Sequence, residues 1–135
     1  MNKEVYTING NATVTEGAKA MAEKRSNYLI VLKEGKPSGI ITDNDLVIKI
    51  LAKEAGPSTI TVSKVMSTPL ITIDPDEDLL KAAQVMHEQN IRKLPVVRGG
   101  IIYGMITATD IANQCGTYVD RTVKDILRWT APLGM

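Results

Sequence analysis

The chain has 135 residues, 44% of them apolar and 23% charged, with sixteen basic against fifteen acidic side chains and a net charge of +1. That size and balance suit one folded domain or two small halves and exclude wholesale disorder. Near-neutral charge, four Tyr, one Trp and no Phe argue against a nucleic-acid binder, which needs a basic stripe or a stacking platform.

In chain order, residues 5–8 form a short apolar stretch that predicts a strand. Thr13, with Glu16 three residues on, has the spacing of a capping box and opens a helix striped by Val14, Ala18, Met21 and Ala22. Residues 29–32 then turn through Glu34 and Gly35 into residues 39–42, a hairpin pattern. A helix is expected from Asp43 to about Lys53, and residues 55–61 (Ala-Gly-Pro-Ser-Thr-Ile-Thr) form a linker. The order then repeats. A strand is predicted at 70–73, and a helix capped by Asp78 carries Leu79, Ala83 and Met86. Residues 94–97 turn through Gly99–Gly100 into 101–107, and Gly116 ends the last helix.

The repetition is an internal duplication. At an offset of 65, residues 7–46 align with 72–111 without a gap, and twelve of the forty positions are identical. Chance would give about two or three. The architecture is therefore β-α-β-β-α, twice, in an α/β (α+β type) fold, with the repeats expected to pack sheet to sheet about a pseudo-twofold axis. Expected boundaries are repeat one at 1–56, linker 57–61, repeat two at 62–118, and a C-terminal helix or tail at 119–135 packing on the module or a dimer interface. A weaker echo at an offset of 61 links residues 61–66 with 122–127. The first copy of the echo introduces repeat two. The second is expected to pack where repeat one lacks its own lead-in, or else is a plain amphipathic helix.

Both repeats end the hairpin on one phrase: Gly39-Ile40-Ile41-Thr42-Asp43-Asn44-Asp45 and Gly104-Met105-Ile106-Thr107-Ala108-Thr109-Asp110. Thr-x-x-Asp can be nothing more than a helix cap with a favourable charge on the dipole. Its recurrence at one register favours a second role, because Ser, Asn or Asp would cap equally well. A helix start offers free N–H groups to a phosphate, and a carboxylate one turn in can accept from both hydroxyls of a ribose.

The phrase, the segment Leu94-Pro95-Val96-Val97, the segment Val65-Met66-Ser67-Thr68-Pro69 and the tandem β-α-β-β-α order together resemble a pair of CBS domains (a Bateman module) over about residues 5–116. The resemblance implies adenosine-ligand binding in two clefts between the repeats. Asp110 and Asp45 match the ribose-holding carboxylate, and Thr107 and Thr42 the hydroxyl that contacts ribose or phosphate. The adenine walls would be Tyr6, Thr7, Ser26 and Tyr28 for the Asp110 cleft, and Ser67, Thr68, Ile71 and Ile91 for the Asp45 cleft. A basic residue eighteen positions before the Asp contacts phosphate in such proteins. Arg92 matches it in repeat two, but Asn27 stands there in repeat one. The Asp110 cleft is thus expected to prefer a phosphorylated ligand and the Asp45 cleft to be weaker or less anion-selective. Lys24, Arg25 or Lys93 could substitute for the missing charge. Ile30 against Pro95 is expected to matter little, since both positions belong to strands.

Other residues draw plainer readings. His87 is expected on an exposed helix face, and Cys115 as a small buried hydrophobe. One cysteine and one histidine exclude an intramolecular disulfide and argue against a zinc site. Trp129 is expected to anchor intrachain or dimer packing. No apolar run nears the roughly 18 residues that span a bilayer, and residues 1–20 lack a signal-peptide pattern. The expectation is a soluble cytoplasmic homodimer that is not an enzyme. It would bind AMP, ADP, ATP or an S-adenosylmethionine-like compound as ligand, with no cofactor, no metal, no nucleic acid and no membrane, and would report energy state to a regulated protein on another chain. The alternative is a ligand-independent dimerisation or interaction scaffold with vestigial clefts.

Overall fold

The computed structural model describes residues 4–114 together with Thr122 and Val123. Contacts divide the chain into two units, Val5–Leu70 and a second that joins Glu4 to the residues from Ile71 onward. The first unit runs β1 (Thr7–Asn9), α1 (Val14–Lys24), β2 (Tyr28–Lys33), β3 (Lys36–Thr42), α2 (Asp43–Asp45), a π-helix (Leu46–Leu51) and α3 (Val62–Val65). Its strands form one sheet in the order β1-β2-β3, with β1 parallel and β3 antiparallel to β2. β1 starts two residues later than the sequence pattern suggests.

The capping box on α1 forms as its spacing predicts. Thr13 Oγ1 accepts from the Glu16 N–H at 3.1 Å, and the Glu16 carboxylate accepts from the Thr13 N–H at 3.1 Å, a cap worth about 1 kcal/mol. The buried face of α1 is Val14, Gly17 and Met21. Ala18 is half-buried and Ala22 exposed, a correction to the expected stripe. The helix approaches α3 so closely at Gly17 that a Cβ there would meet Val62 Cγ1 at 3.0 Å, which turns the contact face to positions 17 and 21.

Glu34 and Gly35 close the β2–β3 turn with φ of 54° and 76°, the two positive values a type I′ turn needs. The helix expected at 43–53 winds as α only through Asp45. It continues as a π-helix, and i→i+5 bonding persists beyond it in Ala52 N–H to Val47 O at 2.8 Å and Ala55 N–H to Ile50 O at 3.0 Å. Ile50 is buried, whereas Val47, Ile48 and Leu51 are exposed.

The second unit contains α4 (Leu79–Gln89), β4 (Lys93–Arg98), β5 (Ile101–Thr107) and α5 (Ala108–Gln114). Asp78 caps α4 by accepting from the Lys81 N–H at 2.7 Å. His87 is exposed, as expected. Gly99 and Gly100 repeat the positive-φ turn, and β4 and β5 pair antiparallel. The strand expected at 70–73 is reduced to one parallel bridge between Ile73 and Val96. Ile73 donates to the Pro95 carbonyl and accepts from the Val97 N–H, both at 3.0 Å. In the first unit Ile30, the match of Pro95, donates to the Tyr6 carbonyl at 2.9 Å. Pro95 has no N–H to offer Ile71. The Ile30/Pro95 exchange, expected to matter little, therefore shortens a strand.

Arg98 ties the 74–76 turn to β4. Its guanidinium holds both Asp74 oxygens, at 3.2 Å and 2.7 Å, and also reaches Asp76. The Arg98 hydrogen bond holds the Asp74 carboxyl below the usual carboxylate range.

The echo at an offset of 61 is a structural equivalence with an unexpected assignment. Val62 N–H donates to the Ala12 carbonyl at 2.8 Å, and Val123 N–H to the Glu77 carbonyl at 2.8 Å. Thr61 bridges Thr13, and Thr122 bridges Asp78. Each segment docks just ahead of the cap of its own repeat's first helix. Residues 61–65 thus close the first unit instead of introducing the second. The described part of the C-terminal segment closes the second unit instead of packing on repeat one. The remainder of that segment, with Cys115, Gly116 and Trp129, lies outside the described residues.

The two cores match position by position. Val14, Met21, Leu29, Val31, Ile41 and Val62 lie in the first, and Leu79, Met86, Leu94, Val96, Ile106 and Val123 in the second. Each such side chain contributes about 1.5–3 kcal/mol on burial. These cores fix the ends of the hairpins, where the recurring phrase sits.

Candidate functional site

In the second unit the phrase ends β5 and begins α5. Lys93 pairs with Thr107, and the Ala108 N–H donates to the Arg92 carbonyl at 2.9 Å. The backbone of Arg92 is thereby fixed at the head of α5. Asp110 is 7% exposed. Its Oδ2 accepts from the Thr107 N–H at 2.9 Å, and the Asp110 N–H donates to Thr107 Oγ1 at 3.2 Å. Burial raises the carboxyl's pKa, but hydrogen bonds outweigh it, among them those from Thr107, and hold Asp110 below the usual range. At neutral pH it is an ionised, acceptor-only group. Ile71 and Ile91 are half-buried against the core of the same unit.

The first unit repeats the arrangement. Tyr28 pairs with Thr42, and the Asp43 N–H donates to the Asn27 carbonyl at 3.0 Å. Asp45 is 9% exposed and accepts from the Thr42 N–H at 2.9 Å and from Thr42 Oγ1 at 3.3 Å, both on Oδ2. Ser26 Oγ donates to the Tyr28 carbonyl at 2.8 Å, and the Tyr6 and Tyr28 rings lie 6.1 Å apart. Tyr6, Ser26, Asn27, Tyr28, Thr42 and Asp45 thus gather around one end of the β2–β3 hairpin. Thr7 lies next to Tyr6, exposed on β1.

Ser67 and Thr68 lie elsewhere, alongside β3. Ser67 exchanges both backbone bonds with Ile40, at 2.8 Å and 3.1 Å, and Thr68 Oγ1 donates to the Ser38 carbonyl at 3.1 Å. This covers the outer edge of β3 and explains the glycine of the phrase. A Cβ on Gly39 would stand 2.6 Å from Met66 Sδ and 2.8 Å from the Ser67 carbonyl oxygen.

Sequence reasoning missed Lys49. Its ammonium lies 3.1 Å from Asp45 Oδ1 and donates to the Val65 carbonyl at 2.7 Å. The signal was available as an acidic residue four positions before a basic one. A second feature is an apolar groove of about 420 Å³ between α1 and the π-helix, walled by Val14, Ala18, Ala22, Leu46, Ile50 and Leu51. Among the described residues, no cluster of three or more His, Cys, Asp or Glu could hold a metal ion. No described helix is long and apolar enough to cross a membrane.

Two small α/β units, each with a Thr–Asp pair at the end of a hairpin, define a tandem-repeat module. The family model for the CBS domain matches residues 1–52 and 62–115, and the chain belongs to the CBS-domain family. It is 32% identical over 112 residues to the CBS domain-containing protein YhcV of Bacillus subtilis, covering 83% of this chain and 79% of that protein. Against the uncharacterized protein MK0525 of Methanopyrus kandleri it is 31% identical over 128 residues, 93% of this chain but 65% of that one. The chain thus spans about two thirds of the length of that relative. Among solved structures, the hexameric CBS-CP12 protein from bloom-forming cyanobacteria superimposes with a TM-score of 0.76 at 32% identity, covering 86% of this chain and 68% of its own.

Proposed function

We propose that this protein is a non-catalytic regulatory module that binds an adenine nucleotide or adenosyl compound in clefts between its two repeats and transmits its presence to a partner protein. The observation that carries this reading is the nearly buried, ionised Asp110 at the end of β5, with Thr107 beside it and the backbone of Arg92 fixed at the same helix start. Asp110 accepts from the ribose hydroxyls, Thr107 contacts ribose or phosphate, and Arg92 gives a phosphorylated ligand its charge-assisted bond. Tyr6, Thr7, Ser26 and Tyr28 form the adenine wall of that cleft, and Ser67, Thr68, Ile71 and Ile91 that of the Asp45 cleft. Signalling follows by linkage: a ligand that favours one arrangement of the module changes its affinity for a partner by the same free energy.

The protein works in the cytoplasm and self-associates. The apolar groove beside the exposed Leu51, Val47 and Ile48 supports a second copy as its occupant, as does the hexameric relative. A ligand-independent scaffold is the second reading. What favours it is that Thr42–Asp45 and Thr107–Asp110 already satisfy one another as helix caps.

A thermal-shift panel of AMP, ADP, ATP and S-adenosylmethionine separates the two. A ligand present at about 100 times its Kd adds roughly 2.7 kcal/mol of stability, a rise of several degrees. No rise with any ligand at millimolar concentration leaves the scaffold.

A further inference from the structure

A phosphate settles at a helix start where backbone N–H groups are left open for it. In the first unit each of the first four is already taken. The Asp43 N–H donates to the Asn27 carbonyl at 3.0 Å. The Asn44 N–H donates to Asp43 Oδ1 at 2.8 Å. The Asp45 N–H donates to Thr42 Oγ1 at 3.3 Å, and the Leu46 N–H to the Asp43 carbonyl. The Asp43 side chain thus stands where an anionic ligand group would bind, and it leaves its own negative charge exposed at the first turn. Lys49 brings a cation to this helix, but its ammonium is held by Asp45 Oδ1 at 3.1 Å and by the Val65 carbonyl at 2.7 Å. That charge balances Asp45. Among the described residues Asp43 makes no ion pair. The position matching Asp43 at an offset of 65 is Ala108, whose side chain has neither acceptor nor charge.

We propose that Asp43 is a specificity-determining residue: it makes the Asp45 site reject a 5′-phosphate and take an adenosyl ligand with no negative charge there, of which adenosine is the simplest. This rests on the reading of Asp45 as a ribose acceptor, and it goes beyond the missing base at Asn27. Lack of a cation leaves a site indifferent to phosphate, whereas a fixed carboxylate turns it against one. A phosphate can reach the Asn44 N–H only by evicting the Asp43 carboxylate, and it then stands beside the charge it has displaced. An uncharged 5′ group meets neither cost.

The test is titration calorimetry with adenosine and AMP in the Asp110→Ala background, so that the Asp45 site is read. Adenosine is expected to bind about tenfold more tightly than AMP. Adding Asp43→Asn keeps an acceptor for the Asn44 N–H but removes the charge, and should tighten AMP about fivefold. Adding Asp43→Ala, which copies repeat two, also opens that N–H and should tighten AMP by about tenfold or more. Adenosine should be unmoved by either. Rising salt should narrow the gap between the two ligands in Asp110→Ala, because the repelling charge is exposed and screened, and should narrow it less once Asp43 is replaced. AMP binding to Asp110→Ala as tightly as adenosine overturns the proposal. So does a ratio of AMP to adenosine affinity that Asp43→Ala leaves unchanged. So does a folded Asp110→Ala protein that binds no adenosine while the unsubstituted chain does. An unsubstituted chain that binds neither ligand is a different failure: it ends the ribose-acceptor reading, and the role of Asp43 falls with it.

Discussion

Gly39→Ala puts the geometry of the recurring phrase to a quantitative test. A Cβ at this position would lie 2.6 Å from Met66 Sδ, 3.0 Å from Met66 Cγ and 2.8 Å from the Ser67 carbonyl oxygen. The thioether can swing aside, but the carbonyl belongs to a backbone that exchanges two hydrogen bonds with Ile40. Segment 66–67 must therefore move off β3. Overpacking of this kind costs about 1–3 kcal/mol, and each lost backbone bond adds about 1 kcal/mol. At this chain length a loss of about 3 kcal/mol, the low end of that sum, lowers Tm by roughly 9–12 °C. The assay is thermal unfolding followed by circular dichroism. Gly35→Asn is the control: Gly35 has φ of 76° and nothing within 4 Å of an added Cβ, and Asn tolerates that conformation, so its Tm should stay within about 2 °C of the unsubstituted chain. A Gly39→Ala protein that melts within a degree of the unsubstituted one would refute the close approach of residues 66–67 to β3.

Three other perturbations test separate parts of the account. Leu51→Asp places a charge on a side chain that is 71% exposed; the fold should survive with a Tm close to that of the unsubstituted chain, while light scattering falls to the single-chain mass. Arg98→Gln removes the partner that holds Asp74 below its usual range. A depressed folded-state pKa contributes stability above the unfolded-state value and loses it on acidification. The Tm difference between the two proteins should therefore be constant at neutral pH and shrink as pH falls through the acid range. Arg92→Ala should weaken AMP about tenfold more than adenosine, because only AMP offers a phosphate for a charge-assisted bond; equal losses by calorimetry would show that Arg92 does not read phosphate.

Much of this structure was legible in the chain because local rules wrote it. Thr13–Glu16 and Asp78 are caps at fixed spacing, and Glu34–Gly35 and Gly99–Gly100 are turns that need positive φ. The duplication by itself pairs the core positions of the two units. Three features were hidden, each for a physical reason. Leu-Val-Ile-Lys-Ile-Leu at 46–51 is apolar nearly throughout, so its periodicity could not reveal a π-helix. The missing N–H of Pro95 acts through a neighbouring strand, and its cost shows only once Ile71 and Ile73 are placed beside it. The segment at 61–62 looks like a lead-in to repeat two and that at 122–123 like a substitute for the lead-in repeat one lacks, yet they hydrogen-bond back to Ala12 and Glu77, a long-range choice that sequence order disguises. The Thr–Asp phrase itself was readable. The engagement of one copy of it by Lys49 was not.

The measurement closest to the central claim is calorimetric titration of AMP into the unsubstituted chain and Asp110→Ala. Removing the ribose acceptor should cost roughly 2 kcal/mol, a loss of about 30-fold or more in affinity, with Tm in the absence of ligand read alongside to establish that the variant is folded. Unchanged AMP affinity in a folded Asp110→Ala protein would contradict the assignment of Asp110, and with it the nucleotide-binding reading of the module.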